Sequence, residues 1–206
     1  MVDYATPPHP SRIEKETLDK RIYRNNDVVD AAKNLLGLGL FTNIDNSITG
    51  GIIVETEAYA GINDKASHAY RGRCTKRTEV MFRLGGIAYV YLCYGIHALF
   101  NIVTGDVGVP HAVLIRAIQP THGLDIMIRR LKKKQIDATL SNGPGALTAA
   151  LGITVAYTGV PLDSESLWII DLGIHISQFE TTPRIGIDYA EECVSLPYRF
   201  VAGVAK

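Results

Sequence analysis

The segment Glu55-Thr56-Glu57-Ala58-Tyr59 places two carboxyl groups and a phenol at alternate positions. Successive side chains of a β-strand point to opposite faces, so Glu55, Glu57 and Tyr59 would share one face. A carboxylate beside a second carboxylate and against apolar groups has a shifted proton affinity, which suits a general base that activates water. The pattern is also typical of the solvent-facing side of a half-buried strand, and a sugar hydrolase that uses both glutamates is a further alternative.

A second group of candidate residues lies in the segment 89–95, which is rich in tyrosine. Tyr91 and Tyr94 are three positions apart, so in a continuous strand they would point to opposite sides and could not share one task. Gly95 indicates a turn, which would expose Tyr94 at its tip as a candidate wedge into stacked bases. Ordinary core and surface tyrosines explain the pattern nearly as well.

Charge is divided unevenly along the chain, although the formal net charge of its 206 residues is zero. Residues 1–136 hold 18 Lys and Arg against 13 Asp and Glu, whereas residues 137–206 hold 3 against 8. Two basic runs in the first part would suit contact with phosphate oxygens, although a solvated helix face or loop explains such runs more often. The runs comprise Arg71, Arg73, Lys76, Arg77 and Arg83, and then Arg129, Arg130, Lys132, Lys133 and Lys134.

The size and composition are those of a folded globule. With 206 residues, of which 47% are hydrophobic and 20% charged, the chain can bury a core without disulfide bonds or a metal. No apolar run approaches the roughly 18 residues of a membrane-spanning helix, and residues 1–16 contain no apolar signal core. Cys74, Cys93 and Cys193 form no C-x-x-C pair, and the histidines have no metal-binding spacing. We therefore predict no metal site and a reducing compartment.

Hydrophobic periodicity predicts helices and strands around one core. A helix is expected over residues 27–36, with its N-cap at Asn26 or Asp27. A second helix, capped by Thr121, would run to about Lys134 with its basic residues on one face. The other predicted elements are a short alanine-rich helix after Pro144 and strands at 52–59, 89–94, 112–118, 167–172 and 184–187.

These segments together resemble the alkyladenine (3-methyladenine) DNA glycosylase family of base-excision repair. Order and spacing both fit from residue 51 to residue 120, and the likeness extends more thinly over roughly residues 20–203. Several independent motifs in one register make a chance match implausible. The matching motifs are Ile53-Val54-Glu55-Thr56-Glu57-Ala58-Tyr59, Ala66-Ser67-His68, Arg71-Gly72-Arg73-Cys74-Thr75-Lys76-Arg77 with Met81-Phe82, Tyr89-Val90-Tyr91 to Tyr94-Gly95, Asn101-Ile102, Val113-Leu114-Ile115-Arg116-Ala117, Gly143-Pro144-Gly145, Pro183-Arg184-Ile185-Gly186 and Tyr198-Arg199-Phe200.

The resemblance implies a single mixed α+β domain, with a curved antiparallel β-sheet and peripheral helices. It implies a monofunctional hydrolase that flips 3-methyladenine, and also 7-methylguanine, hypoxanthine or ethenoadenine, out of duplex DNA and leaves an abasic site. Glu57 matches the family's general base, which deprotonates the attacking water. Arg116 matches the arginine beside that water and the target phosphate, although a structural ion pair is an alternative. No lysine stands at the motif positions around the pocket to form a Schiff base, so we expect no lyase activity.

The resemblance also assigns the residues that would hold the base. Tyr59, His68 and Tyr91 match an aromatic pocket in which the extruded purine stacks, and a cationic alkylated purine would be attracted to such a pocket by cation–π interaction. Asn101 matches the residue that crowds the exocyclic amine of guanine. Tyr94 matches the side chain inserted into the gap left by the flipped nucleotide.

Arg73 and Arg77 are the expected DNA-binding residues of the first basic run. The sequence departs from the family's pattern at Ala146, where a lysine or similar polar residue is usual, and DNA affinity is therefore expected to be lower than typical. Thr78 replaces a common asparagine, and two extra residues between Asn101 and Arg116 predict a loop of distinct shape.

We expect residues 1–20 to form a flexible N-terminal segment and residues 21–206 to form the glycosylase domain. The expected partner is double-stranded DNA containing damaged purines, without a membrane partner, a metal or a cofactor. The protein is expected to act as a monomer in the cytoplasm, associated with the nucleoid, and a nuclear location stays open. The alternative is a non-catalytic module that binds damaged DNA or a purine, in which Glu57 belongs to a structural hydrogen-bond network.

Overall fold

The computed structural model describes residues 18–203, and within them the chain forms eight strands and three α-helices. The strands are β1 (Gly39–Ile44), β2 (Ser47–Tyr59), β3 (Ile87–Cys93), β4 (His97–Thr104), β5 (His111–His122), β6 (Leu167–Ile170), β7 (Phe179–Thr182) and β8 (Arg199–Ala202). The helices are α1 (Val28–Asn34), α2 (Leu124–Arg130) and α3 (Pro144–Leu151). Short 3₁₀ helices, including Gly61–Asn63, Tyr70–Gly72, Glu79–Phe82 and Glu191–Ser195, connect them.

The strands form one antiparallel sheet in the order β3-β4-β5-β2-β1-β6. The long strand β2 pairs with β5 on one side along most of its length. On its other side it pairs first with β1 and then, at Glu55–Glu57, with β8, which in turn pairs with β7. The register against β5 shifts on both sides of Glu55, as at a β-bulge. The expected mixed α+β fold with an antiparallel sheet and peripheral helices is confirmed.

One face of β2 is fixed in the main core. Val54 and Ala58 are buried in the largest hydrophobic cluster, and the Thr56 hydroxyl donates a hydrogen bond of 2.8 Å to the Ala32 carbonyl of α1. Helix α1 begins where the sequence predicts, because the Asp27 side chain accepts from the backbone N–H groups of residues 29 and 30. The side chains at the alternate positions, Glu55, Glu57 and Tyr59, therefore point to the opposite face of β2.

Two predicted elements are wrong. Thr121 lies in β5 and caps no helix. Helix α2 begins after Gly123, whose φ of 68° requires a residue that tolerates a left-handed conformation. The helix ends at Arg130 rather than near residue 134. Residues 184–187 form an irregular loop instead of a strand. The short alanine-rich helix predicted after Pro144 is confirmed as α3, which includes Pro144 as its first residue.

Of the N-terminal segment predicted at residues 1–20, residues 1–17 lie outside the described residues, and its boundary with the domain stays a prediction. No helix in the part of the chain from residue 18 to residue 203 is long and apolar enough to cross a membrane.

Candidate active site

The alternation predicted for β2 brings two carboxylates into the interior on the side opposite the main core. Glu55 and Glu57 are only 6% and 0% exposed, so this face of the strand is not a solvated surface. Strand β8 lies beside both residues, and the loop that contains Ile185 covers Glu57. Burial of two carboxylates without neighbouring cations would destabilise the fold, so the groups that contact them determine their charge and their chemistry.

Glu57 is held by donors from three separate parts of the chain. Its Oε1 accepts a hydrogen bond of 2.9 Å from the Ile185 backbone N–H and lies 3.3 Å from Nη1 of Arg116. Its Oε2 accepts a bond of 2.8 Å from the Tyr59 hydroxyl. Burial raises the pKa of Glu57, and the Glu55 charge adds to this effect, whereas Arg116, the Ile185 N–H and the Tyr59 hydroxyl oppose it. A carboxylate with a raised pKa is a stronger base than an exposed one.

Arg116 lies in β5 opposite β2 and contacts both glutamates. Its Nε donates to Glu55 Oε1 at 2.7 Å, and the same oxygen accepts from Nε of Arg199 in β8, also at 2.7 Å. The structural ion pair considered for Arg116 is therefore present, together with the contact to Glu57. Because Arg116 also lines the adjacent cavity, one guanidinium joins the buried carboxylates to the open space.

A cavity of about 590 Å³ opens beside this cluster. Its wall is formed by all four residues expected to hold the base, by Arg116 and by the start of α3. The space is large enough for a small ligand. The four expected residues are Tyr59, His68, Tyr91 and Asn101.

The aromatic wall of the cavity is an ordered group. The rings of His68 and Tyr91 meet edge to face with centroids 4.5 Å apart, so a base cannot lie between these two rings and would stack against them from the side. His68 Nδ1 lies 2.8 Å from the Tyr89 hydroxyl. The side-chain amide of Asn101 donates to the backbone carbonyl oxygens of Tyr89 and Leu99, at 3.2 and 3.3 Å, which fixes its position in the wall.

Tyr94 stands at the tip of the hairpin between β3 and β4. Its side chain is 90% exposed, and Ile96 beside it is 75% exposed. Tyr94 and Gly95 have positive φ angles of 51° and 71°, and Ile96 N–H donates to the Cys93 carbonyl at 3.1 Å, which closes the turn. Tyr91, in the body of the strand, and Tyr94 both border the cavity. The expectation that they point to opposite sides is wrong, because the turn with its positive φ at Tyr94 interrupts the alternation of the strand.

The two arginines expected at DNA have different surroundings. Arg73 is exposed on the segment after Tyr70–Gly72. Arg77 turns toward the cavity wall: its Nη2 lies 2.7 Å from His68 Nε2, and its guanidinium carbon lies 5.4 Å from the centre of the Tyr91 ring. Thr78 stabilises this segment by donating to the Arg73 carbonyl and accepting from the Thr75 N–H.

The second basic run is in part structural. Arg130 donates to Thr49 Oγ1 and to the carbonyl oxygens of Ile44 and Ala150, so it joins α2 to the sheet and to α3. Lys133 pairs with Asp137 at 2.8 Å. These two residues are therefore occupied within the protein.

Sequence reasoning assigned no role to a buried ion pair beside the site. Arg184 binds both carboxylate oxygens of Asp64, at 2.5 and 2.9 Å, and its guanidinium carbon lies 4.7 Å from the centre of the Tyr59 ring. Both side chains are almost fully buried, and Arg184 also donates to the Ala58 carbonyl. The pair fixes the loop in which Ile185 donates to Glu57. The motif that contains Arg184 was the available signal, but its partner lies 120 residues away.

Among residues 18–203, no three His, Cys, Asp or Glu side chains come together as a candidate metal site. Ala146 lies at the cavity in the first turn of α3, where a polar residue is usual in the resembled family.

Residues 22–205 match the family model described as methylpurine-DNA glycosylase (MPG). A protein of Chlamydia felis (strain Fe/C-56) is 49% identical over 196 residues, which cover 92% of this chain and 97% of that protein. A protein of Bacillus thuringiensis (strain Al Hakam) is 50% identical over 184 residues, which cover 84% of this chain and 90% of that protein. Both carry the name "Putative 3-methyladenine DNA glycosylase". The chain therefore belongs to the methylpurine-DNA glycosylase family, whose members are DNA glycosylases that hydrolyse N-glycosyl bonds.

Proposed function

We propose that this chain binds duplex DNA, turns an alkylated purine nucleotide into the cavity and hydrolyses its N-glycosidic bond with a water activated by Glu57. The observation that carries the proposal is the fully buried Glu57 carboxylate, held by three donors beside an aromatic cavity. The water oxygen bonds to C1′ of the sugar and gives a proton to Glu57. The electron pair of the broken bond leaves with the purine.

The geometry of Glu57 suits this task. A carboxylate has about four positions at which it accepts hydrogen bonds. Two contacts fall on Oε1, whereas Oε2 accepts one hydrogen bond, from the Tyr59 hydroxyl, so Oε2 is the oxygen with more accepting positions left for a water. Glu57 itself is fully buried, and Tyr59 and Arg116 connect it to the cavity. The negative charge also stabilises the oxocarbenium-like sugar that forms as the purine departs.

Arg116 supports the same step from the other side of the strand pair. Its Nε is committed to Glu55, and Nη1 faces Glu57, which leaves Nη2 for a phosphate oxygen of the target nucleotide. A guanidinium that contacts both the base catalyst and the substrate phosphate would fix the distance between them.

The aromatic wall favours purines that carry a positive charge. Alkylation at N3 or N7 makes the purine cationic, which both improves it as a leaving group and lets it interact with the π faces of Tyr59 and Tyr91. We therefore place 3-methyladenine and 7-methylguanine before the neutral bases hypoxanthine and ethenoadenine. Asn101, fixed by its bonds to the main chain, would crowd the exocyclic amine of normal guanine.

The exposed hairpin tip supplies a means of base flipping. Extruding a nucleotide costs a few kcal/mol of lost stacking and pairing, and a wedge that fills the vacancy offsets part of this cost. Tyr94 is the side chain placed to do this, and Arg73 is placed on an exposed basic segment that suits phosphate contact. We propose further that the chain acts as a monomer on DNA in the cytoplasm, at the nucleoid, and that residues 21–206 form the working domain.

The test is release of free bases from duplex DNA treated with dimethyl sulfate, compared for wild type and Glu57→Gln at equal DNA occupancy. We expect wild type to release 3-methyladenine, and Glu57→Gln to lose turnover by about 10²–10⁴-fold while lesion binding is kept. Glu180→Gln, an exposed change in β7, is the matched control and should behave as wild type. Tight lesion binding with no release by wild type would instead identify a non-catalytic damage-binding module.

A further inference from the structure

The contact between Arg77 and His68 determines which nitrogen of the imidazole carries the proton, as well as where the ring lies. A guanidinium is always protonated and has only donors, so the His68 Nε2 that lies 2.7 Å from Arg77 Nη2 must accept. An imidazole whose Nε2 accepts carries its proton on Nδ1, and this N–H then donates to the Tyr89 hydroxyl at 2.8 Å. Both ring nitrogens are thus committed within the protein.

We propose that Arg77 is a positioning residue that holds His68 as the neutral imidazole protonated on Nδ1, and so sets the preference of the cavity for cationic purines. This assigns Arg77 to the pocket rather than to the DNA backbone. The effect on purine preference rests on the function proposed above, whereas the effect on His68 does not.

The surroundings of His68 agree with a neutral ring. The charged and titratable groups around it are Arg73 and Arg77 on the following segment, Tyr89 and Tyr91 on β3, and Lys65, Tyr70 and Tyr189 in a second, smaller cavity that His68 also lines. The described residues that line either cavity beside His68 include no carboxylate that would stabilise an imidazolium. Burial and the charges of Arg77 and Arg73 lower the pKa of His68 to about 4.

Two consequences follow for the base in the cavity. A neutral ring against Tyr91 adds no second positive charge to the one that Arg77 carries behind the wall, so the ring itself does not repel a cationic purine. A ring whose Nε2 is blocked by Arg77 and whose Nδ1 proton is bound to Tyr89 cannot protonate a departing purine. Neutral purines, which need a proton to leave, receive none from His68.

The test begins with the free protein and needs no DNA. In wild type, ¹⁵N NMR of the imidazole should show a neutral ring with the proton on Nδ1 at pH 7. Arg77→Met removes the donor but keeps the aliphatic length, and we expect it to shift His68 toward protonation on Nε2 and to raise its pKa. Arg77→Lys, which keeps a donor, should restore the wild-type tautomer. Arg73→Met is the matched control for the tautomer, because the hydrogen bond to His68 Nε2 comes from Arg77 and not from Arg73, so the proton should stay on Nδ1. The pKa of His68 should rise in this variant also, since the Arg73 charge helps to lower it.

The second measurement is single-turnover release of 7-methylguanine and of hypoxanthine at pH 6. We expect Arg77→Met to lower the ratio of the two rates by about tenfold, because a His68 ring released from Arg77 and protonated on Nε2 can donate a hydrogen bond to the neutral base as it leaves. The affinity for undamaged duplex DNA and its salt dependence should fall for Arg73→Met but not for Arg77→Met.

A wild-type ring protonated on Nε2, or an unchanged tautomer in Arg77→Met, would overturn the proposal. So would a loss of undamaged-DNA affinity in Arg77→Met without a change at His68, since that result assigns Arg77 to the phosphate backbone. Failure of wild type to release any base would refute the proposed function while the NMR result still decided the role of Arg77.

Discussion

Glu55 and Glu57, two positions apart in β2, hold different nitrogens of one guanidinium. Nε of Arg116 donates to Glu55 at 2.7 Å, and Nη1 of the same side chain lies 3.3 Å from Glu57. The two carboxylates therefore have different contacts, and we infer different tasks for them: Glu55 orients the arginine, and Glu57 is the base proposed above. A sugar hydrolase would need one of the two carboxyls as the acid that protonates the leaving group, a role that fits Glu55 poorly because its Oε1 is bound by both Arg116 and Arg199.

The first prediction tests this division of tasks. Glu55→Gln should keep the protein folded and lower kcat about tenfold, because a charge-assisted bond to Arg116 becomes a neutral one. The acidic limb of the pH profile should also move to lower pH, since the Glu55 charge raises the pKa of Glu57. Single-turnover rates across pH check both effects, with Glu180→Gln as the control. An unchanged kcat would mean that Arg116 is held without Glu55.

The second prediction concerns the pH dependence of the wild-type rate. Glu57 must be ionised to accept a proton, and burial raises its pKa, so the rate should fall on acidification with a midpoint above the ordinary glutamate pKa of about 4.3. His68 has a pKa lowered to about 4, so its protonation would add a second loss only at lower pH. If the residual activity of Glu57→Gln still fell on acidification with the same midpoint as wild type, that midpoint would belong to another group.

The third prediction is that Glu57 lowers the stability of the fold. A carboxyl whose pKa is raised by folding binds its proton more readily in the native state, so stability falls as pH rises from the unfolded pKa through the folded one. Glu57→Gln should therefore be more stable than wild type at pH 7, by on the order of 1 kcal/mol, and equally stable below the unfolded pKa. Thermal unfolding at pH 7 and pH 4 measures the difference. A variant less stable than wild type at pH 7 would contradict this account.

The fourth prediction separates base flipping from chemistry. Tyr94 is 90% exposed, so Tyr94→Ala should leave the melting temperature unchanged. Release from duplex DNA should fall by about ten- to a hundredfold, which corresponds to about 1.4–2.8 kcal/mol. Release from single-stranded lesion DNA should change little. Val107→Ala, at an exposed apolar position between β4 and β5, is the control. Equal losses on both substrates would place Tyr94 in the chemistry instead.

The fifth prediction concerns the buried pair of Asp64 and Arg184. Asp64→Asn leaves a buried guanidinium without its counter-ion and should destabilise the protein by about 3–5 kcal/mol. Asp125→Asn breaks the pair with Arg129 on the surface of α2, where both side chains are largely exposed, and should change stability by less than about 1 kcal/mol. Denaturant unfolding compares the two. Similar small losses in both variants would show that the buried pair is dispensable.

The sequence was sufficient to predict part of this site. Alternation along β2 placed Glu55, Glu57 and Tyr59 on one face, and Gly95 located the turn that exposes Tyr94, because both patterns depend on local backbone geometry. The Arg184 pair and the Ile185 N–H were not predictable in the same way. They reach the site from an irregular loop more than 100 residues away in the sequence. A backbone N–H donor also cannot be recognised from the sequence, because every residue except proline has one.

The prediction of a helix that begins at Thr121 was wrong for a related reason, because contacts distant in sequence decide the structure there. Thr121 is a residue type that caps helices, yet it lies in β5, where the pairing of Pro120 and His122 with Gly51 and Gly50 of β2 outweighs local propensity. Arg130 of the second basic run points inward and joins α2 to the sheet and to α3. This role could not be predicted from the neighbouring residues in the sequence, because all of its partners are distant.

The pairing of β2 has a consequence for how this enzyme can change. At Glu55–Glu57 the strand is bonded on both edges, to β5 and to β8, so the proposed base sits on backbone that cannot shift without breaking two ladders. The cavity wall is shared between the sheet, which supplies Tyr59, Tyr91 and Asn101, and three segments outside it, namely residues 66–68, the start of α3 and the loop at 184–189. Residues 66–68 and the start of α3 make no hydrogen bond to Glu57, so laboratory evolution confined to these two segments should alter which bases are removed while leaving the hydrolytic step intact. Changes in the loop at 184–189, which donates to Glu57 through Ile185, should affect both.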